Sequence, residues 1–203
     1  MLKTLKSLVI ILTVSLSVTA MGWAEVQVGE PAPGFTAMDS NQQQRSLSDY
    51  RGKYVVLEWF NPQCPFVKKH YSTGNMQGLQ GKYTARDVVW LSIDSSAEGN
   101  QGYLGADEAN HYISDNNVKS TALLLDPSGE VGSLYGAKTT PHMFIIDPQG
   151  TLVYQGAIDD MPSTDPEDVT LARNYIDETL SALLSGGQVS AFATKSYGCS
   201  VKY

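Results

Sequence analysis

Two residues of this 203-residue chain are cysteines, Cys64 and Cys199, and the first stands where a thiol can react. Cys64 follows the apolar run Val55-Val56-Leu57-Glu58-Trp59-Phe60 and precedes Pro65-Phe66-Val67-Lys68, where a helix is expected to begin. A thiol at a strand-to-helix turn lies beside unpaired helix N–H groups, which favour the thiolate. The thiolate is the nucleophile of disulfide and peroxide chemistry. The plainer reading of Cys64 is a small buried thiol that only packs. Cys199, preceded by Gly198, is open to two readings: half of a permanent bridge to Cys64, or a resolving thiol that closes and reopens one. Glu58 interrupts the apolar run. Burying its carboxylate would raise its pKa and suit it to proton transfer near neutral pH; an edge position with the carboxylate in water is the alternative.

These groups need a frame. Residues 54–60 are nearly continuous in apolar side chains, as in a central strand covered on both faces. Pro65 fits the first helical position, and the helix is expected to run to about residue 83, with Gly74 and Gly78 in its middle. Further strands are expected over 88–94 and 122–126, helices over 106–116 and 130–135, and a hairpin over 143–147 and 151–155 around Pro148-Gln149-Gly150. Residues 46–50 suit a single helical turn. Val169, Ala172, Ile176, Leu180, Leu183 and Leu184 recur at helical spacing over 168–184, and Gly186-Gly187 ends that run. Strands alternate with helices, then a hairpin follows. The pattern is α/β, a central mixed sheet with helices on both faces.

The chain opens with Lys3 and Lys6, an apolar run from Leu8 to Val18 and small residues, which reads as a secretory signal peptide over 1–24. Cleavage is placed before Glu25, with cleavage after Ala20 as the alternative. The run is short for a spanning helix, which takes about 20 residues. Residues 25–185 then form one domain, and 186–203 a tail carrying Cys199. The formal charge of −7 becomes more negative once the two lysines leave. An acidic exported domain suits neither nucleic acid nor stable membrane insertion. The expected compartment is the periplasm, where two thiols readily pair.

Four motifs carry a family resemblance: Gly29-Glu30-Pro31-Ala32-Pro33-Gly34-Phe35, then Ser46 to Lys53, the Cys64 turn, and Thr139-Thr140-Pro141-His142-Met143-Phe144. In that order the chain resembles the thioredoxin superfamily, in its redoxin branch of alkyl hydroperoxide reductase/thiol-specific antioxidant-like proteins. It is most similar to an exported group that ends in Tyr197-Gly198-Cys199-Ser200-Val201-Lys202-Tyr203. The resemblance implies a thioredoxin-like three-layer sandwich, Cys64 as the attacking thiol, Glu58 as the buried acid, and Thr140-Pro141 as the cis-proline dipeptide facing the sulfur. Pro65, Phe66 and Lys68 join these as expected substrate contacts. Val67 replaces the second cysteine of a CxxC turn. Leu57 and Asn61 stand where a peroxide site carries proline and threonine or serine.

The expected activity is thiol-dependent oxidoreduction, acting on a protein or small-molecule disulfide or peroxide and recycled by an external thiol reductant, with no cofactor. Two other classes stay open. One is a metal carrier that resembles Sco-type copper chaperones, with Cys64, His142 and Cys199 as candidate ligands. The other is a binding domain with a fixed Cys64–Cys199 bridge. His111 is expected on a solvent-facing helix.

Overall fold

The structure, a computed structural model, describes residues 26–203. The expected signal peptide and its cleavage sites lie outside the described residues. The central strand β3 (Val55–Trp59) is buried along its whole length. It pairs in parallel with β4 (Val89–Asp94) and antiparallel with β7 (His142–Ile146). Beyond β4 come β5 (Ala122–Leu125), β1 (Thr36–Asp39) and β2 (Gln44–Ser46), and beyond β7 come β8 (Leu152–Gly156) and β9 (Phe192–Ala193). The order of this mixed sheet is β2-β1-β5-β4-β3-β7-β8-β9.

The period of two along β3 sorts its side chains between two cores. Val55, Leu57 and Trp59 join one core with Val131 and Tyr135 of α4 (Glu130–Tyr135). Val56 faces the other, and Glu58, two residues on, shares its side. That core is built by α1 (Pro65–Ser72), α2 (Asn75–Thr84), α3 (Ala106–Asp115) and α5 (Tyr175–Leu184). Helices thus cover both faces, as the α/β reading required.

Three expectations change. The helix expected over 65–83 is two helices, because Gly74 takes φ +74°, closing α1 and starting α2. Glycine supplies that left-handed conformation without a steric penalty. The helix expected from 168 begins instead at Tyr175, where the Asn174 side chain accepts from the Asp177 amide; a 3-10 turn occupies Pro166–Thr170. The tail is also structured. Beyond β9, the short strand β10 (Cys199–Ser200) pairs with β6 (Thr139–Thr140) as a separate two-stranded unit. The segment expected only as a tail is thereby strapped to the cis-proline edge.

Candidate active site

The turn after β3 is braced before the helix begins. Asn61 accepts from the Gln63 amide through Oδ1 (2.8 Å) and donates to the Gln101 carbonyl (2.8 Å). The Cys64 amide closes onto the Asn61 carbonyl at 3.1 Å. Cys64 then caps α1 with Pro65 at the first helical position, where a missing N–H leaves nothing unpaired. The sulfur is fully buried.

Opposite it, Thr140 and Pro141 are joined by a cis peptide bond. The Thr140 carbonyl oxygen is 3.1 Å from the Cys64 sulfur. β10 lies antiparallel on this same edge, with Cys199 in register with Thr140. That brings the Cys199 sulfur to 2.7 Å from Cys64 Sγ. Both are free thiols, Cys64 buried and Cys199 partly exposed. Gly198 makes the approach possible: its φ is +134°, and a Cβ there would fall 2.1 Å from the Thr140 carbonyl oxygen.

The two thiols are not equivalent. Burial pushes the Cys64 thiol up. The Cys199 thiol, the Thr140 side chain and the backbone amides of Val67 and Cys199 outweigh this and hold it below the ordinary thiol value. Burial, then the hydrogen bond and charge of Cys64, push Cys199 up to about 11. Between the two, Cys64 ionises first.

Glu58 is fully buried. Oε2 accepts from Trp90 Nε1 (2.7 Å), Ser92 Oγ (3.0 Å) and Gln80 Nε2 (3.1 Å), and Oε1 from Tyr71 Oη (2.8 Å). Burial raises its pKa against the pull of these four donors. The edge alternative is thereby excluded. The carboxylate ties α1, α2 and β4 together beneath the turn, and these four hydrogen bonds do not include Cys64.

Phe66 lies edge-on to Tyr197, with ring centroids 5.8 Å apart, while Pro65 and Lys68 point to solvent. Lys69 is buried, its Nζ donating to the Met161 carbonyl at 3.0 Å. His142 Nδ1 accepts from the Lys138 amide (3.3 Å) and its ring packs on Phe144. Among the described residues no group of three His, Cys, Asp or Glu could hold a metal, so the copper reading finds no ligand set there. His111 is exposed.

One constellation escaped the sequence reading. His70 and Asp159 are both buried and meet at Tyr197, whose hydroxyl donates to Asp159 Oδ1 and lies 3.3 Å from His70 Nε2. Burial, with the charge of Lys69, lowers the His70 pKa to about 3, so the ring is neutral. The available signal was Tyr197, an aromatic two residues before Cys199 in the tail.

The AhpC/TSA family pattern matches residues 28–155. The chain is 27% identical over 135 residues to the thiol-disulfide oxidoreductase ResA of Bacillus thuringiensis, covering 64% of this chain and 70% of that protein. It is 28% identical over 172 residues to Peroxiredoxin-2 of Cricetulus griseus, covering 78% and 84%. The thioredoxin domain of a thiol-disulfide oxidoreductase from Bacteroides vulgatus superposes with a TM-score of 0.51 at 19% identity, over 64% of this chain and 89% of that domain. The matched family span holds Cys64, Thr140 and Pro141 and stops before Cys199. No helix among the described residues is long and apolar enough to cross a membrane.

Proposed function

This chain belongs to the AhpC/TSA family, and from that premise we propose that it is a thiol oxidoreductase that cycles between a Cys64/Cys199 dithiol and a Cys64–Cys199 bridge. The observation that carries the reading is the 2.7 Å separation of the two sulfurs across the Thr140-Pro141 edge. A covalent bridge needs about 2.05 Å, so closure requires a movement of well under one residue's length.

In the favoured cycle the substrate is a disulfide. Cys64 thiolate attacks one sulfur, forms a mixed disulfide and expels the other sulfur as a thiolate, which takes up a proton. Cys199 then loses its proton and attacks Cys64 Sγ. The remaining substrate thiolate leaves, and the bridge is closed. A dithiol reductant reopens it, giving up two electrons and two protons. Cys64 is covered by the tail while Cys199 is partly exposed. External disulfides therefore reach Cys64 only when β10 lifts, and the vacated β6 edge is the docking strand for an extended substrate. Phe66 lines this approach, with Pro65 and Lys68 at its solvent rim.

A hydroperoxide would instead oxidise Cys64 to a sulfenic acid, releasing the alcohol, and Cys199 would expel water from it. The likeness to Peroxiredoxin-2 favours this second reading; Leu57 and Asn61, at the positions where a peroxide site has other residues, favour the first. Glu58 is assigned the exchange of protons beneath the turn, supported by its burial and raised pKa. Export is part of the proposal, resting on Lys3, Lys6 and the apolar run after them; a mature chain starting at Glu25 would support it and a retained Met1 would refute it.

The test is turnover of a model disulfide by the reduced full chain. Cys64→Ser abolishes turnover, and Cys199→Ser leaves a mixed disulfide on Cys64 that mass spectrometry detects. Unchanged turnover in Cys199→Ser would remove Cys199 from the cycle.

A further inference from the structure

Tyr197 sits two residues before Cys199, and its side chain has no part in the sulfur exchange described above. It is nevertheless the best-held side chain of the tail. Its hydroxyl donates to Asp159 Oδ1, which also accepts from the Met161 amide at 3.0 Å. His70 fixes the other side. Asn75 Nδ2 donates to His70 Nδ1 at 2.9 Å, which leaves the proton on Nε2, aimed at the Tyr197 oxygen 3.3 Å away. The chain of donors therefore runs Asn75, His70, Tyr197 and ends on the Asp159 carboxylate. The ring packs edge-on to Phe66, and Lys69 Nζ stands 5.5 Å from its centroid.

Phe66, Lys69 and His70 all belong to α1, the helix that Cys64 caps. Tyr197 thus anchors the tail to the same rigid element that carries the opposing sulfur. Two extended residues span about 7 Å, so little slack separates this anchor from Cys199 Sγ. Gly198, in close contact with the Thr140 carbonyl, removes most of what remains. Burying His70, Lys69 and Asp159 around one phenol is costly for a site that only packs. An aromatic ring alone would fill the space; only a hydroxyl reaches Asp159.

We infer that Tyr197 is a positioning residue for the thiol pair, a latch whose hydroxyl sets where Cys199 stands relative to Cys64. The inference rests on the proposed dithiol–disulfide cycle. With the latch closed, the effective concentration of one thiol at the other is high. Without it, β10 keeps two residues of pairing and samples positions away from the edge.

The experiment is the equilibrium of the full chain with mixtures of reduced and oxidised glutathione, reading the fraction bridged by thiol trapping. Tyr197→Phe keeps the ring and its packing but loses the hydroxyl. It is expected to lower the equilibrium constant for bridge closure about tenfold, about 30 mV toward a more oxidising pair. Asp159→Asn, which removes the charge that the hydroxyl meets, is expected to shift it in the same direction and serves if Tyr197→Phe does not fold. Constants within twofold of the native chain in both variants would overturn the latch, even with a lowered melting temperature, because a packing role predicts only that. A native chain that bridges normally while the variants match it defeats the latch alone. A native chain that never bridges defeats the cycle itself.

Discussion

Cys64 and Cys199 are 2.7 Å apart, yet the segments that deliver them are built differently. Cys64 caps α1 just past the fully buried β3, so the pairing of β3 with β4 and β7 and the Asn61-braced turn between β3 and α1 fix its place. Cys199 rides on a strand of two residues. Its place depends on side-chain anchors spread along the tail. Thr194 Oγ1 accepts from the Ala157 amide (3.0 Å) and bonds Tyr154 Oη (2.7 Å). Tyr197 meets Asp159 and His70. Tyr203 Oη donates to the Ala137 carbonyl at 2.8 Å, its ring lying over Gly129 and Gly132. The fold itself holds the first sulfur, and a few replaceable contacts hold the second. In the proposed cycle, reactivity then belongs to the core side and its tuning to the tail side. The family pattern follows the same division, covering the first and ending before the second.

The largest expected break in this contrast is Gly198→Ala. Its Cβ would meet backbone atoms rather than a flexible side chain, so β10 must leave the edge. A loss of about 3 kcal/mol in bridge closure is expected, with the global unfolding midpoint little changed. Thiol trapping and urea unfolding check the two halves separately.

Glu58→Gln should do the opposite. It places an amide among Trp90, Gln80, Ser92 and Tyr71, where Trp90 Nε1 and Gln80 Nε2 can only donate. A loss of about 2 kcal/mol in global stability is expected. A proton-handling role adds a changed pH profile of turnover; an unaltered profile would leave Glu58 as a brace only.

A pH titration sharpens the tail side. His70 titrates near 3 in the folded chain against 6.5 as its ordinary value. The unfolded chain therefore binds more protons between those values, and stability falls as pH drops through that window. The native chain is expected to lose up to about 1.4 kcal/mol per pH unit relative to His70→Asn, with a constant difference above pH 6.5. Glu58 and Asp94, whose pKa values are raised by burial, act with the opposite sign but are common to both chains and cancel. A difference that does not vary with pH would mean that the ring is not held neutral.

The smallest effect is expected from Tyr203→Phe, about 1 kcal/mol for one hydrogen bond. It should appear as faster alkylation of Cys199, with that of Cys64 following only as the tail opens.

The contrast also explains what could be read from the residues alone. The β3 run, Pro65 after Cys64, and Thr140-Pro141 before an apolar strand carry their own local signals, and the structure places all of them at one site. Gly74 was visible as a weak point in a long helix, but its left-handed turn decides between one helix and two only once both helices pack. The β1–β2 hairpin is short and polar, without the alternation that marks a half-buried strand. The tail was illegible for a deeper reason. Tyr197 finds Asp159 and His70 at separations of 38 and 127 residues, and no period or motif announces such a contact.

The most direct measurement is peptide mapping of the reduced full chain after one equivalent of diamide, with free thiols blocked at once. The expected product is a monomer with one intramolecular cross-link joining the Cys64 and Cys199 peptides and no blocked cysteine. Two blocked thiols after that treatment, or a cross-link only between separate chains, would contradict the pairing of these sulfurs as a redox couple.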